Sequence, residues 1–480
     1  MAEEHNRLLT AKGYAVRKDS LTNEQVALIK GELTVAPKVM EKFSKGQKSF
    51  PLWLESSTRY YLPRKWAQEH FGLPEANCMS PGLDLPAAIT FKGTPYPYQT
   101  EIIDKFIGQG GNGLICVPCG RGKTFMALAI AIRLRKRFLI VVDKEFLANQ
   151  WKGEIERYVE GARIGIVQGP TTQTDPAAYD ITICMIQTVC LHDYPVTAFS
   201  GYGFTIFDEC HHLGAQHFSG VLRKIQTPHM LGLSATPKRD DGLTKVFEYY
   251  LGKPVYEEKT REPDPTVVVK ALWYQNEDPA YAEAPVDWRG ELVTARLMTQ
   301  VVSCEPRTAL VVAEVAALAA EPRRKILVLS ERRGHLEAIE AGLPASLVKG
   351  YYVGGMKQAD LDRNAETCQV LLATYAMASE AMNIKALNAM IMASPRKKVE
   401  QSTGRILRVS ADKRELHPLI IDVIDQHDTY VRQWYLRARY YKKCAYTIEH
   451  FNKPKRVKGS GDEAPPTKEE VPEECQIIIK

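Results

Sequence analysis

Residues 113–124 read GLICVPCGRGKT, an apolar run that leads directly into a glycine-rich loop. The run has the length of a buried β-strand, and the loop opens a stretch with helical periodicity. Glycines let the chain curl so that backbone N–H groups point at phosphate oxygens, and the following helix adds the positive end of its dipole. We therefore expect a nucleotide phosphate site in an α/β fold, where Lys123 reaches the terminal phosphates and Thr124 holds Mg²⁺. The loop residues are Gly120, Arg121 and Gly122.

A second motif, DECHH at 208–212, follows the strand-like run FTIF at 204–207. The glycine-rich loop alone also fits an ordinary turn with a surface lysine, but the two motifs in this order favour a site that hydrolyses a nucleotide. An Asp at a strand end suits Mg²⁺ coordination, which we assign to Asp208, and Glu209 then takes the proton of the attacking water. Cys210 and the nearby histidines do not predict a zinc site, because no second cluster follows at a workable spacing.

Strand-like apolar runs alternate with helix-like segments in two groups, separated by a stretch at 257–290 that is rich in Pro, Glu and Asp. Apolar strands separated by helices predict a parallel sheet covered by helices on both faces. The chain therefore divides into two α/β units joined by a linker. The runs of the first unit, after 113–117, are 138–142, 181–186, 204–207 and 230–233, and those of the second are 325–330, 345–348, 369–374, 388–393 and 418–424.

The composition of the 480-residue chain, 45% hydrophobic and 25% charged, is that of a globular protein and excludes wholesale disorder or collagen-like repeats. Ten scattered cysteines are too few for a disulfide scaffold and indicate a reducing compartment. The N-terminus lacks the pattern of a signal peptide, and the most apolar stretch, 309–320, is too short to span a bilayer. We expect a soluble intracellular protein, with nucleus, cytoplasm and virion not distinguished.

The net charge of +6 conceals a basic, aromatic extension at 429–458, which is followed by an acidic tail at 459–480. Two interpretations of the extension stay open. Its core at 434–443 either lies along a nucleic-acid strand, with Arg437 and Arg439 pairing with phosphates, or forms a helix that packs its aromatic side chains on the second unit. The tail has the composition of a disordered segment.

Further motifs occur in order between residues 95 and 425: PYQ at 97–99, GLSATPKRDDG at 232–242, LLATYAMASEAMNI at 371–384 and VEQSTGRILR at 399–408. Together with GRGKT and DECH, they resemble the ordered motifs of superfamily 2 helicases. SATPKRDDG is most similar to the XPB/UvsW-like branch, and the chain also resembles the poxvirus-type transcript-release DNA helicases. The resemblance implies two tandem RecA-like parallel-sheet domains that bind ATP and Mg²⁺ between them.

The resemblance also implies roles for individual residues. Gln99 reads the adenine edge, which its amide suits because it offers a donor and an acceptor. In the second domain Gln401, Arg405 and Arg408 face the γ-phosphate, where an arginine stabilises the transition-state charge. Asn383 stands where this branch usually has an Asp, which puts the coupling at that motif in doubt. Coupling of the ATP site to the nucleic-acid groove is implied for His211, Ser234 and Thr236. Contacts to nucleic acid are implied for Lys144, Gln150, Gln187, Thr188 and Thr374.

The resulting prediction is an ATP-dependent helicase or translocase that acts on single-stranded or forked DNA, with RNA as the alternative strand. Two other interpretations stay open: the motor subunit of a nuclease or restriction complex, and a clamp that binds nucleic acid without hydrolysing ATP. Protein partners are expected at the N-terminal module or the acidic tail. The predicted segments are an N-terminal accessory module at 1–90, an ATP-binding domain at 91–256, a linker at 257–300, a C-terminal helicase domain at 301–428, the basic extension at 429–458 and the tail at 459–480.

Overall fold

The structure is a computed structural model of the chain. It describes residues 5–37, 49–118, 120–195, 197–214, 219–235, 239, 241–258, 263–380, 382, 384, 386–407, 409 and 413–453. The predicted acidic tail at 459–480 lies outside these residues. None of the described helices combines the length and the apolar character that crossing a membrane requires.

A small N-terminal module of strands and two helices packs against the domain that follows it. Its elements are β1 (Arg7–Thr10), β2 (Gly13–Arg17), α1 (Asn23–Glu32), β3 (Thr34–Val35), β4 (Phe50–Pro51), β5 (Leu54–Glu55), β6 (Arg59–Leu62), α2 (Arg64–Phe71) and β7 (Ala76–Asn77). Five strands form a sheet in the order β5-β6-β2-β1-β7. Trp66 on α2 packs in a core that includes Val246 of the next domain, and the buried guanidinium of Arg64 donates to the carbonyl of Thr227 at 2.8 Å. These contacts fix the module to that domain.

The first α/β domain is built on an eight-stranded sheet. Its elements are β8 (Thr90–Phe91), α3 (Pro97–Gly108), β9 (Asn112–Cys116), α4 (Lys123–Leu134), β10 (Phe138–Val142), α5 (Glu145–Tyr158), β11 (Val159–Glu160), β12 (Ile164–Gln168), β13 (Thr171–Thr172), β14 (Ile181–Met185), α6 (Ile186–Leu191), β15 (Phe204–Phe207), α7 (Ser219–Lys224), β16 (His229–Ser234), α8 (Thr244–Leu251) and β17 (Pro254–Glu257). The order is β13-β12-β14-β10-β15-β16-β9-β17, and only the β12–β13 pair is antiparallel. Every residue of β10 and β14 is buried, because side chains on both faces of the sheet are covered.

The second α/β domain has a seven-stranded sheet that is parallel throughout. Its elements are β18 (Val268–Tyr274), α9 (Pro279–Ala282), α10 (Thr294–Val302), α11 (Glu305–Ala319), β19 (Ile326–Ser330), α12 (Arg333–Gly342), β20 (Lys349–Tyr352), α13 (Gln358–Thr367), β21 (Val370–Thr374), α14 (Tyr375–Glu380), β22 (Ala389–Met392), α15 (Glu400–Thr403), β23 (Leu419–Asp425), α16 (Asp428–Lys443) and β24 (Thr447–Phe451). The order is β20-β21-β19-β22-β23-β18-β24. The predicted class, two α/β units with parallel sheets covered on both faces, is confirmed.

The second sheet begins inside the stretch that the sequence predicted as a linker. Residues 268–274 form β18, which pairs with β23 on one side and with β24 on the other. The prolines and acidic residues on either side of this run concealed a strand of ordinary length. A smaller error concerns the predicted strand at 345–348, because β20 begins only at Lys349; this edge strand is half exposed and so lacks a continuous apolar run.

The described part of the basic extension, residues 429–453, is an integral part of the second domain. Helix α16 buries Trp434 and Tyr441 in the core on one face of the sheet, and β24 then adds an edge strand. Arg437 is also buried, and its guanidinium makes two hydrogen bonds of 2.8 Å to the carboxylate of Asp422. The prediction that Arg437 pairs with nucleic-acid phosphates is therefore wrong, because its charge is directed into the domain. Arg439 lies on the exposed face of the same helix.

Candidate functional site

A cavity of about 490 Å³ lies at the carboxyl edge of the first sheet, where the loops after β9 and β15 meet. Residues from both predicted motifs line it, and Arg405 of the second domain lines it as well. Parallel α/β sheets place their functional loops at this edge, because the strand-to-helix turns all emerge there. The cavity is lined by Gly93, Thr94, Tyr96, Tyr98, Gln99, Gly120, Gly122, Lys123, Thr124, Phe125, Leu147, Gln150, Glu154, Arg157, Tyr158, Asp208, Glu209 and Arg405.

The glycine-rich loop connects β9 to α4 through a left-handed residue. Gly122 has φ of +79°, and a Cβ at this position would lie 2.5 Å from Nε2 of Gln99, so both the backbone and the space require glycine. Helix α4 starts at Lys123, and its first N–H groups and dipole favour an anion in the loop. The ammonium of Lys123 lies 3.4 Å from Oε1 of Glu209. The loop thus has the geometry of a phosphate site.

Two adjacent carboxylates follow β15 and differ in their electrostatic environment. Burial raises the pKa of Asp208 to about 6, and the charge of Glu209 adds to this effect. Burial also acts to raise the pKa of Glu209, but Lys123, His211 and His212 together outweigh it, so that the pKa of Glu209 is lowered. Glu209 therefore remains ionised beside Lys123. Its backbone has φ of +43°, an uncommon conformation for a residue with a side chain.

The predicted coupling residues His211 and Ser234 are in contact. Nδ1 of His211 lies 3.1 Å from Oγ of Ser234, which ends β16, and 3.4 Å from Oε2 of Glu209. Burial lowers the pKa of His211 to about 4, so its imidazole is neutral near pH 7. The hydrogen bond of His211 is thus made with Ser234, and Oε2 of Glu209 lies nearby without a hydrogen-bond partner among the described residues. Thr236 lies outside the described residues.

Gln99, at the start of α3, lines the cavity next to the glycine-rich loop. Its Oε1 accepts from the backbone N–H of Tyr96 at 3.0 Å, and its Nε2 donates to the carbonyl of Arg121 at 3.2 Å. These two bonds fix the orientation of the amide, and they leave it one hydrogen and one lone pair. The side chain of Arg121 does not line the cavity but forms an ion pair with Glu258.

Arg405 reaches the cavity from the second domain. It is buried, and its Nη1 donates to the carbonyl of Met382 at 2.8 Å. Gln401, one helical turn earlier in the chain, is half-buried and does not line the cavity. Arg408 and Asn383 lie outside the described residues. A cation from one domain therefore faces the phosphate loop and the carboxylates of the other.

Comparison with known proteins supports the resemblance to superfamily 2 helicases that the sequence motifs indicated. Residues 92–239 match the family described as type III restriction enzyme, res subunit. A protein of Acanthamoeba polyphaga mimivirus, provisionally named an ATP-dependent RNA helicase, is 30% identical over 466 residues, which are 94% of this chain and 88% of that protein. The chain belongs to the superfamily 2 helicases.

Two further relatives of this helicase come from a virus and an archaeon. A protein of African swine fever virus, also provisionally named an ATP-dependent RNA helicase, is 27% identical over 383 residues, 74% of each chain. A Sulfurisphaera tokodaii protein named DNA 3'-5' translocase XPB2 is 32% identical over 169 residues, 34% of this chain and 36% of that protein. The predicted XPB-like branch with viral relatives is confirmed, and so are the two RecA-like domains and the activity: the protein is an ATP-dependent helicase or translocase of nucleic acid that hydrolyses ATP.

The residues predicted to contact nucleic acid fall in different places in this helicase. Gln150 lines the nucleotide cavity, where the prediction did not place it. Thr188 is buried, and its hydroxyl accepts from the N–H of Gly169 at 3.0 Å, which indicates a structural role. Gln187 is half-buried and donates to the carbonyl of Asp143. Lys144 and Thr374 are half-buried at ends of secondary-structure elements.

Several residues of α5 that the sequence analysis did not identify belong to the helicase site. Glu154, Arg157 and Tyr158 line the cavity together with Gln150. Glu154 lies one helical turn after Gln150, and Arg157 and Tyr158 lie one turn after Glu154. Trp151, on the same helix, donates from Nε1 to Oδ2 of Asp208 at 2.8 Å. The spacing of 150, 154 and 157–158 on one helical face was the signal that could have revealed the lining residues.

The chemistry of the donor set fits Mg²⁺. Mg²⁺ prefers oxygen ligands and is commonly held by one or two carboxylates, with waters and substrate phosphates completing the shell. Asp208 and Glu209 supply buried carboxylates next to the phosphate loop, and Thr124 supplies a hydroxyl. Within the described part of the chain, no group of three or more His, Cys, Asp or Glu side chains has a metal-binding arrangement. The oxygen donors of Asp208, Glu209 and Thr124 therefore fit Mg²⁺ as a ligand set.

Proposed function

We propose that the helicase moves along DNA, single-stranded or forked, and that it binds Mg²⁺–ATP in the cavity between its two RecA-like domains. The observation that carries the assignment of the site is the position of Arg405, which lines the same cavity as Lys123 and Asp208 although it comes from the other domain. The similarity to an archaeal DNA translocase supports DNA as the strand. RNA is the alternative strand, because the names of the viral relatives refer to RNA.

The first domain would hold the nucleotide and activate water. Lys123 and the N-terminus of α4 bind the phosphates, Gln99 reads the adenine, and Asp208 with Thr124 holds Mg²⁺, which neutralises phosphate charge. Glu209 accepts a proton from water as the water oxygen bonds to the γ-phosphorus and the bond to the β-phosphate oxygen breaks. His211, which is hydrogen-bonded to Ser234, orients Glu209.

In the structure the ammonium of Lys123 lies 3.4 Å from Oε1 of Glu209. A γ-phosphate competes for the ammonium, because its charge is larger than that of one carboxylate. Glu209 then exchanges Lys123 for a water molecule. Arg405 contributes when the domains close, since it stabilises the charge that develops on the transferred phosphoryl group. Hydrolysis removes the γ-phosphate that links the two domains, so they can open. Repeated closing and opening then moves the protein along a strand.

A phosphate-release assay tests the proposal directly. We expect single-stranded or forked DNA to stimulate the wild type, and we expect Lys123→Ala and Glu209→Gln to abolish stimulated hydrolysis while keeping the thermal melting point. Lys152→Ala, an exposed lysine on α5, is the matched control and should retain full activity.

The outcomes separate the parts of the proposal. Stimulation by RNA but not by DNA contradicts the choice of strand and leaves the site intact. Full turnover in folded Lys123→Ala or Glu209→Gln contradicts the roles of these residues.

A further inference from the structure

The side chain of Arg121 lies outside the nucleotide cavity, wedged between two residues of other segments. Its Nε donates to Oε2 of Glu258 at 3.0 Å, and its guanidinium lies 4.4 Å from the centre of the Tyr98 ring. The ring of Tyr96 is nearly parallel to that of Tyr98, with 6.0 Å between the ring centres and an angle of only 8° between the planes. The guanidinium thus packs on an aromatic pair at the start of α3, where Gln99 lies.

The main chain of Arg121 makes a second connection to the start of α3. Its carbonyl accepts hydrogen bonds from the hydroxyl of Tyr98 and from Nε2 of Gln99, both at 3.2 Å. The amide of Gln99 then faces the cavity with one N–H and one lone pair, which match N7 and the N6 amine of adenine but not the two acceptors of guanine. The position of Arg121 therefore sets the orientation of Gln99.

Glu258, the ion-pair partner of Arg121, lies where the chain leaves the first domain. Its N–H donates to the carbonyl of Cys116, the last residue of β9, at 2.8 Å. Glu258 follows the last strand of the first sheet, and the second sheet starts at Val268, so Glu258 begins the connection between the two RecA-like domains. Arg121, itself part of the phosphate loop, thereby contacts both Gln99 and the first residue of the interdomain connection.

The ion pair is well placed to transmit a movement. The side chains of Arg121 and Glu258 are only 24% and 12% exposed, so a break leaves two poorly solvated charges. Gly120 and Gly122, on either side of Arg121, have φ of +90° and +79°. Two glycines allow the loop to change shape around an anchored residue when phosphates enter, because they lose no side-chain contact in doing so.

We propose that Arg121 is a positioning residue that passes the occupancy of the nucleotide site to the interdomain connection through Glu258. The inference rests on the proposed roles of Gln99 and Lys123. Phosphate entry changes the loop on both sides of Arg121, and the ion pair turns this change into a movement of residue 258. The same pair holds Gln99 in its adenine-reading orientation. Arg121 acts on domain closure and base choice without touching the phosphates through its side chain.

The test is a double-mutant cycle with Arg121→Gln, Glu258→Gln and the combined variant in the full-length protein. Turnover and KM for ATP are measured with and without the nucleic acid that stimulates the wild type best, and the ratio of kcat/KM for ATP over GTP is measured alongside. We expect each single change to lower the stimulated kcat about tenfold, with basal hydrolysis less affected and a lower ATP preference. The combined variant should be no worse than the poorer single variant, and Arg121→Lys should recover part of the loss.

The exposed ion pair of Arg133 and Asp104 in the same domain is the matched control. Arg133→Gln and Asp104→Asn should leave the stimulation and the ATP preference unchanged. Equal loss of basal and stimulated kcat, additive losses in the combined variant, or wild-type kinetics for Glu258→Gln would overturn the inference. Two different results would contradict the proposed function itself: no stimulation of wild-type ATP hydrolysis by nucleic acid, or a turnover of Lys123→Ala equal to that of the wild type.

Discussion

The indole of Trp151 donates a hydrogen bond of 2.8 Å to Oδ2 of Asp208, while Oδ1 of the same carboxylate accepts from the N–H of Glu209 at 3.0 Å. Trp151 is buried on α5, so the bond is shielded from solvent. The aspartate that we propose as a Mg²⁺ ligand is thus held in one orientation from a different segment of the chain.

Trp151→Phe removes this donor and keeps most of the buried volume. Hydrogen bonds to charged groups are worth about 1.5–3 kcal/mol, so we expect the Mg²⁺ concentration needed for half-maximal ATPase activity to rise about tenfold or more. Trp66→Phe is the control, because Trp66 makes a comparable 2.7 Å bond to Glu32 in the N-terminal module. An unchanged Mg²⁺ requirement in folded Trp151→Phe would contradict the positioning role.

Arg405→Ala should retain ATP binding and lose turnover. An arginine that stabilises the phosphoryl transition state contributes roughly 10³–10⁵ in rate, and Arg405 is the described second-domain residue that lines the cavity. Binding of a fluorescent ATP analogue and steady-state hydrolysis measure the two properties separately. A loss of affinity without a loss of kcat would identify Arg405 as a ground-state contact instead.

The second domain should become less stable in acid because of His335. Burial lowers the pKa of His335 to about 3, and the charge of Arg307 acts in the same direction. The unfolded chain takes up a proton near pH 6.5 that the folded domain does not accept, so stability is retained above this pH and falls as the pH drops towards 3. His335→Gln should flatten the dependence of the melting point on pH across this window. His192→Gln, at an exposed position, should leave the slope as in the wild type.

The stability of the protein should depend on Arg437 but not on Arg439. Arg437→Leu leaves the buried carboxylate of Asp422 without its cationic partner and with only the hydroxyl of Tyr441 as donor among the described residues, which costs about 3–5 kcal/mol of the free energy of unfolding. Arg439→Leu changes an exposed residue and should alter stability by less than about 0.5 kcal/mol. Urea unfolding measures both, and salt-dependent DNA binding of Arg439→Leu tests whether this residue contacts phosphates. Equal stability of the two variants would contradict the structural role of Arg437.

The sequence predicted the parts of the site that lie within single strand-to-loop junctions. Lys123 and Asp208 follow apolar strands, and parallel sheets bring such junctions to one edge. Trp151 could not be assigned, because its contact with Asp208 depends on how α5 packs on the sheet. Arg437 was misplaced for a related reason: helical spacing shows which residues share a face, but not which face meets the core. Gln99 was found by its motif, whereas its bonds to the loop depend on the tertiary structure.

The position of β18 has a consequence for folding during synthesis on the ribosome. This strand is synthesised first in its domain, yet its two neighbours, β23 and β24, are the last strands of the described chain. An apolar strand with both edges unpaired can join other chains. The nascent second domain must therefore keep residues 268–274 protected until residues 447–451 have emerged, and a chain that ends before β23 is expected to aggregate.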